Sequence, residues 1–237
     1  MDLSMRFILP LTSATVIKRY KRFLADVLLT ETNEQVTIHC PNSGSMMGLQ
    51  MPGTKIWISR SLNPNRKLAY TWEISEVEDT LVGINTQIPN TLVYEALCHG
   101  MIPSLKGYTE VLREVKYGQN SRIDFLLKAE NIPPCYVEVK NVNLNLDGIA
   151  AFPDSVTTRG TKHLTELTHM KNQGYRAVML YIVQRSDLKS FKVAEKIDSV
   201  YAEASKKARH AGVETLVLSA NVSLQEICLG APLMINR

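Results

Sequence analysis

The run Ala177-Val178-Met179-Leu180-Tyr181-Ile182-Val183 leaves the chain few ways to fold. Read as a strand, it is apolar on both faces and rich in β-favouring residues, so neither face suits water. Such a strand needs parallel neighbours or covering helices, which places this part of the chain among α/β folds. The run is also far shorter than the roughly 20 apolar residues of a membrane span. No membrane partner is expected.

The pattern around that strand alternates helix and strand from about Thr86 onward. A helix starts at Asn90 or Thr91, runs towards His99 and stops at Gly100. Strands follow over 110–117 and 121–127, joined at Gly118-Gln119-Asn120, and a third over 135–144. A helix over 156–172 places Val156, Gly160, Leu164 and Leu167 on one stripe and Arg159, Lys162, Glu166 and His169 on another. A last helix carries Ile197, Tyr201, Ala204, Ala208 and Ala211, ends at Gly212 and feeds a β-rich segment over 213–218. Before Thr86 the chain shows only short β-favouring runs, 20–29, 35–40, 55–61, 68–74 and 80–84, separated by turns such as Pro41-Asn42-Ser43-Gly44. The expected organisation is therefore two-domain: a small OB-like β-barrel over 1–85 and an α/β domain over 86–237.

Two strands of the second domain carry charge where apolar residues are expected. Asp124 sits in Ser121-Arg122-Ile123-Asp124-Phe125-Leu126-Leu127. In Tyr136-Val137-Glu138-Val139-Lys140-Asn141, the strand period of two sends Glu138 and Lys140 to one face and the valines to the other. Carboxylates held close on rigid strands repel, and a divalent cation removes that repulsion while polarising a phosphate. Mg2+ or Mn2+ suits oxygen ligands of this kind. Asp124 and Glu138 are the candidate metal ligands, and Lys140 is placed to orient water or to stabilise charge on a phosphate. A structural ion pair on a solvated sheet face is the competing reading.

This D…E-x-K spacing, with each part on a strand, resembles the PD-(D/E)xK nuclease superfamily. In that superfamily an acidic residue of the preceding helix often completes the site, and Glu95 holds the matching place; Glu114 is a weaker candidate.

A net charge of +4 and an isoelectric point near 8.8 permit a polyanionic partner without requiring one. Lys18-Arg19-Tyr20-Lys21-Arg22-Phe23 interleaves cations with aromatics where a barrel strand begins, a pattern suited to phosphate contact and base stacking. The alternative is a strand edge protected by positive charge. Arg159, Lys162 and His163 fall in the first turns of a helix, where side-chain cations and free N–H groups can hold phosphate together; an ordinary helix surface is the alternative. The four cysteines have neither zinc-site spacing nor a disulfide framework and read as reduced, buried thiols. With no signal peptide evident, the expected location is cytoplasmic.

Longer strings carry a more specific resemblance. Residues 19–27, 39–46, 121–125, 136–142 and Phe152-Pro153-Asp154-Ser155-Val156-Thr157-Thr158-Arg159-Gly160-Thr161-Lys162-His163-Leu164 together resemble the sugar fermentation stimulation protein A family across nearly the whole chain. The resemblance implies a cytoplasmic protein with an N-terminal OB-like domain and a C-terminal nuclease-like domain. It also implies DNA binding without marked sequence preference and a regulatory part in maltose metabolism. It favours functional roles for Arg159 and Lys162. Ser43 stands where the family pattern leads one to expect Thr, and Pro153-Asp154 reads as a helix-start signal. Two functions share the same residues: a regulator holding the DNA backbone, and a magnesium-dependent phosphodiesterase cleaving it. A third, a helix-turn-helix repressor, would need a recognition helix after Gly212, where the sequence is strand-like.

Overall fold

Alternating burial, small residues inward and threonines outward, builds the first layer. The computed structural model describes residues 4–119 and 121–236, so the expected turn residue Asn120 lies outside the described residues. After β1 (Ser4–Arg6) come β2 (Thr12–Tyr20), β3 (Leu24–Leu29), β4 (Gln35–His39), β5 (Lys55–Arg60), β6 (Tyr70–Val77) and β7 (Thr80–Gly83). Strands β4-β3-β2-β5-β6 pair in that order, and a β4–β6 bridge at His39 and Thr71 closes them into a barrel, with β7 added to β6. Ala14, Val16, Ala25, Val27, Ile38, Ile56, Ile58 and Trp72 fill its interior. Each of the expected β runs forms, yet β2 was missed, because its alternation of Ala14 and Val16 with serine and threonine is weakly apolar. The basic segment accordingly ends β2 with residues 18–20 and turns into β3 through 21–23, with Lys21 and Arg22 at φ 49° and 63°.

The second layer comprises α1 (Ile88–Cys98), β8 (Glu110–Tyr117), β9 (Ser121–Ala129), β10 (Ile132–Val142), β11 (Leu144–Leu146), β12 (Ile149–Phe152), α2 (Thr158–Asn172), β13 (Arg176–Val183), β14 (Ser190–Val193), α3 (Ser199–His210), β15 (Glu214–Val222), β16 (Glu226–Pro232) and β17 (Met234–Ile235). Its seven-stranded sheet runs β1-β16-β15-β13-β10-β9-β8, with β10, β13 and β15 parallel. The apolar strand β13 lies inside it. Val178, Leu180 and Ile182 pack with Leu92, Val93 and Ala96 of α1. Met179, Tyr181 and Val183 pack with Leu164 and Leu167 of α2 and Tyr201 of α3. A smaller sheet, β11-β12-β14-β17, lies outside the sequence-based expectation.

Four expectations change. Residues Ser4–Arg6, placed by sequence in the barrel domain, pair instead with β16 of the large sheet. The segment after Gly212 is β15, so the helix-turn-helix alternative has no recognition helix. Helix α2 starts two residues late because Thr157 caps it, accepting from Gly160 N at 3.1 Å. All four cysteines are free, but only Cys40 and Cys135 are buried; Cys98 is exposed and Cys228 half-buried.

Asp154, read as a helix-start signal, docks the two layers. Its carbonyl accepts from Ser45 Oγ at 2.6 Å and its Oδ2 from Met46 N at 3.1 Å. A Cβ at Gly44 would lie 2.5 Å from that Oδ2, so the approach requires glycine. A second clamp is Gly83 N to Gln184 O at 2.9 Å, backed by Gln184 Nε2 to Asn85 O at 3.0 Å.

Candidate functional site

The antiparallel ladder between β9 and β10 ends at Phe125 and Val137, and the next residues in that register are Asp124 and Glu138. There the backbone N–H of Val139 turns to Asp124 Oδ2, at 2.7 Å, instead of to a strand carbonyl. Asn90 of α1 donates Nδ2 to the other oxygen at 2.9 Å. Asp124 is thus held by two donors in the fork where the strands part. Glu138, 2% exposed, accepts through Oε1 from Lys140 Nζ at 2.5 Å and from His163 Nδ1, while its Oε2 is buried with no partner.

Burial is the largest influence on both acids. It pushes Asp124 up to about 6, and the charge of Glu138 adds to the push, against the Val139 N–H, Lys140 and Asn90. For Glu138 the burial effect is outweighed by the His163 hydrogen bond and by the charge and hydrogen bond of Lys140, so its carboxyl stays below the ordinary range. One of the two carboxylates is therefore stably ionised and the other titrates near neutrality. The Tyr117 hydroxyl, buried and without a partner, is raised by burial and then by Glu138, Glu166 and Asp124. Glu166, expected on the stripe of α2 opposite the apolar one, is buried with Oε2 unpartnered.

His163, expected with Arg159 and Lys162 in a phosphate-holding cluster or else on an ordinary helix surface, is instead buried against Glu138 and Lys140. Arg159 Nε approaches its Nε2 at 3.4 Å as a donor, which leaves Nε2 accepting and the proton on Nδ1, facing Glu138. Lys140 Nζ lies 3.1 Å from the same Nδ1 and gives its hydrogen bond to Glu138. The only signal in sequence was position: His163 falls one residue before Leu164 on the buried side of α2.

The carboxylates suit a hard cation. The unpartnered Glu138 Oε2 and the second lone pairs of Asp124 are oxygen donors without protons to spare, and magnesium is often held by one or two carboxylates, with water and substrate phosphate completing its shell. Among the described residues no three His, Cys, Asp or Glu side chains gather in a cation cage. Asn90 of α1 reaches Asp124, while Glu95, expected as the third carboxylate, is half-buried five residues on, roughly 140° round the helix at 3.6 residues per turn. Glu114 is exposed on β8 at φ 53°.

The expected DNA-contacting residues divide sharply. Arg19 is bound to carbonyls of Asn42 (2.6 Å), Arg22 (2.9 Å) and Gly44 (3.0 Å) and to Gln50 (3.3 Å), so it clamps the 42–44 loop. Tyr20 donates to Asp26 at 2.9 Å and Lys18 pairs with Asp26 at 3.4 Å. Lys21 and Arg22 are exposed at the hairpin tip. Arg22, Asn90, Lys140 and Arg159 line one cleft of about 530 Å3 between the barrel and the large sheet. Lys162 is exposed and bonds Gln119 O at 2.8 Å, away from that cleft. None of the described helices is long and apolar enough to cross a membrane.

Comparison with known proteins agrees with this two-part architecture. Residues 17–84 match the family model described as the SfsA N-terminal OB domain, and residues 87–226 the one described as the sugar fermentation stimulation protein RE domain. Curated relatives named sugar fermentation stimulation protein homolog include one from Paramagnetospirillum magneticum, 51% identical over 98% of each chain. Another, from Rhodospirillum centenum, is 54% identical over 90% of this chain and 92% of its own. A solved structure described as Pyrococcus furiosus SfsA in complex with Ca2+ superposes over the full length of both chains with a TM-score of 0.90 at 26% identity.

Proposed function

The chain belongs to the sugar fermentation stimulation protein family, and on that premise we propose that it binds DNA through the phosphate backbone and hydrolyses it at the Asp124–Glu138–Lys140 centre with a divalent cation. The observation that carries this reading is the pairing of the half-buried Asp124 with the buried Glu138 at the strand fork, the first raised to about 6 and the second with a free, buried oxygen. A purely structural ion pair would close on itself; this one leaves Oε2 open. The Pyrococcus relative in complex with Ca2+ supports an oxygen-ligated cation in this fold.

Asp124 and Glu138 would hold the cation. When bound, it neutralises the paired carboxylates, polarises a phosphate and lowers the pKa of water. Lys140, fixed by Glu138, presents its ammonium to a phosphate in the cleft. Arg159 and Arg22 draw the backbone to that point by charge alone, which favours every sequence equally. Asn90 and the Val139 N–H keep Asp124 aimed.

Calorimetric titration with Mn2+ and a cleavage assay on labelled DNA in both single-stranded and duplex form test this together. Wild type is expected to bind Mn2+ and to cleave at least one form, and Asp124→Asn to lose both. A wild type that neither binds the cation nor cleaves DNA leaves only the ion pair.

A further inference from the structure

We infer that the cleft selects unpaired DNA, so that single strands and unpaired tails bind and duplex interiors do not. This rests on the nucleic-acid reading above and narrows it. Lys140, which lines the cleft, exposes only 15% of its side chain, so the reacting phosphate must come down to a floor instead of lying on an open face. The walls above that floor come from both layers: Arg22, Ser43 and Gly44 on the barrel side, Asn90 and Arg159 on the other. A space of about 530 Å3 is of the size that takes a small ligand, hence one or two nucleotides. In a duplex the phosphates run along a convex cylinder whose major groove alone is about 12 Å wide, and such a surface does not enter a walled cleft. A strand freed from its partner does, for the reason that enzymes with enclosed centres act on single strands or extruded nucleotides.

The walls are also fixed. Asp154 ties the 44–46 loop to the large sheet and Gln184 ties β7 to it, while Arg19 holds the 42–44 loop from the barrel side. Opening for a duplex would break both clamps. At the hairpin tip, Arg22 supplies a cation to the cleft and its neighbour Phe23 is half exposed, so a phosphate contact and a face for base stacking stand side by side.

The test is fluorescence anisotropy with Ca2+ present, using the full chain and labelled oligonucleotides of one sequence in three forms: single strand, blunt duplex, and duplex with an unpaired tail. The single strand and the tailed duplex are expected to bind at least tenfold more tightly than the blunt duplex at equal salt, and Arg22→Ala to weaken the single strand several-fold more than the duplex. Equal or tighter binding of the blunt duplex overturns the inference and leaves the nucleic-acid reading standing. No binding of any form overturns both.

Discussion

The barrel hairpin and the strand fork both hold charge among apolar residues, and they treat it in opposite ways. In the hairpin, Asp26 accepts from Thr37 at 2.7 Å and from Tyr20 at 2.9 Å; the Thr37 bond is the chief reason its carboxyl stays below the ordinary range. Arg19 gives its hydrogen bonds to loop carbonyls beside it. In the fork, Asp124 and Glu138 face each other, Asp124 is pushed up to about 6, and Glu138 Oε2 has no partner. Charge closed on its neighbours holds a structure, whereas opposed carboxylates are what the proposed cation would neutralise.

The most severe break comes from removing the fork's cation. Lys140→Met is expected to lower DNA cleavage by about 10²–10³-fold, the usual cost of deleting one charge-stabilising donor, while Mn2+ binding survives. Single-turnover assays with calorimetry on the same variant check it; cleavage within a few-fold of wild type would make Lys140 a structural partner of Glu138.

Next in size is the pH dependence of the fork itself. Because the folded pKa of Asp124 is raised from 3.8 to about 6, the native state binds the extra proton between those values. Its contribution to stability is present in full below 3.8 and is lost as pH rises through 6, a difference of about 3 kcal/mol at 1.36 kcal/mol per unit. Without cation, Asp124→Asn should therefore unfold at higher temperature than wild type at pH 8 and match it at pH 3.5. Its amide oxygen stays on the Val139 N–H, and Asn90 turns its own amide to suit. Adding Mn2+ should stabilise wild type alone. Denaturation curves at both pH values, with and without Mn2+, decide this.

In the hairpin the effects should be structural. Arg19→Ala strips the donor from carbonyls of Asn42 and Gly44 and should cost about 2–3 kcal/mol of unfolding free energy. Urea unfolding tests it, and a loss of under about 0.5 kcal/mol, the ordinary surface value, would erase the contrast between the regions.

The smallest effect belongs to Arg22. Exposed at the tip, Arg22→Ala should leave stability unchanged, weaken DNA several-fold, and flatten the salt slope by about 0.7–0.9, the value of one phosphate contact. A salt series of binding isotherms measures that slope.

Sequence by itself determined what local chemistry controls. Residues 177–183 dictated a doubly buried strand, and Glu138 and Lys140, two apart on β10, were bound to share a face. The turn residues between β4 and β5 and between β5 and β6 marked short strands, and OB and C-terminal layers followed in order. What period and propensity cannot carry is which distant elements meet. The contact of Asn90 with Asp124 depended on the rotation of α1 against β9, and the burial of His163 against Glu138 on the height at which α2 crosses β10. Arg19 and Arg22 are three residues apart in one basic run; only the left-handed turn at Lys21 and Arg22 sent one into a loop clamp and the other to the cleft. Asp154 looked like a helix start because its partner, the 44–46 loop, lies more than a hundred residues earlier. Side-chain chemistry is written residue by residue, but a site depends on docking free energies summed over whole faces, and those exist only once the chain is packed.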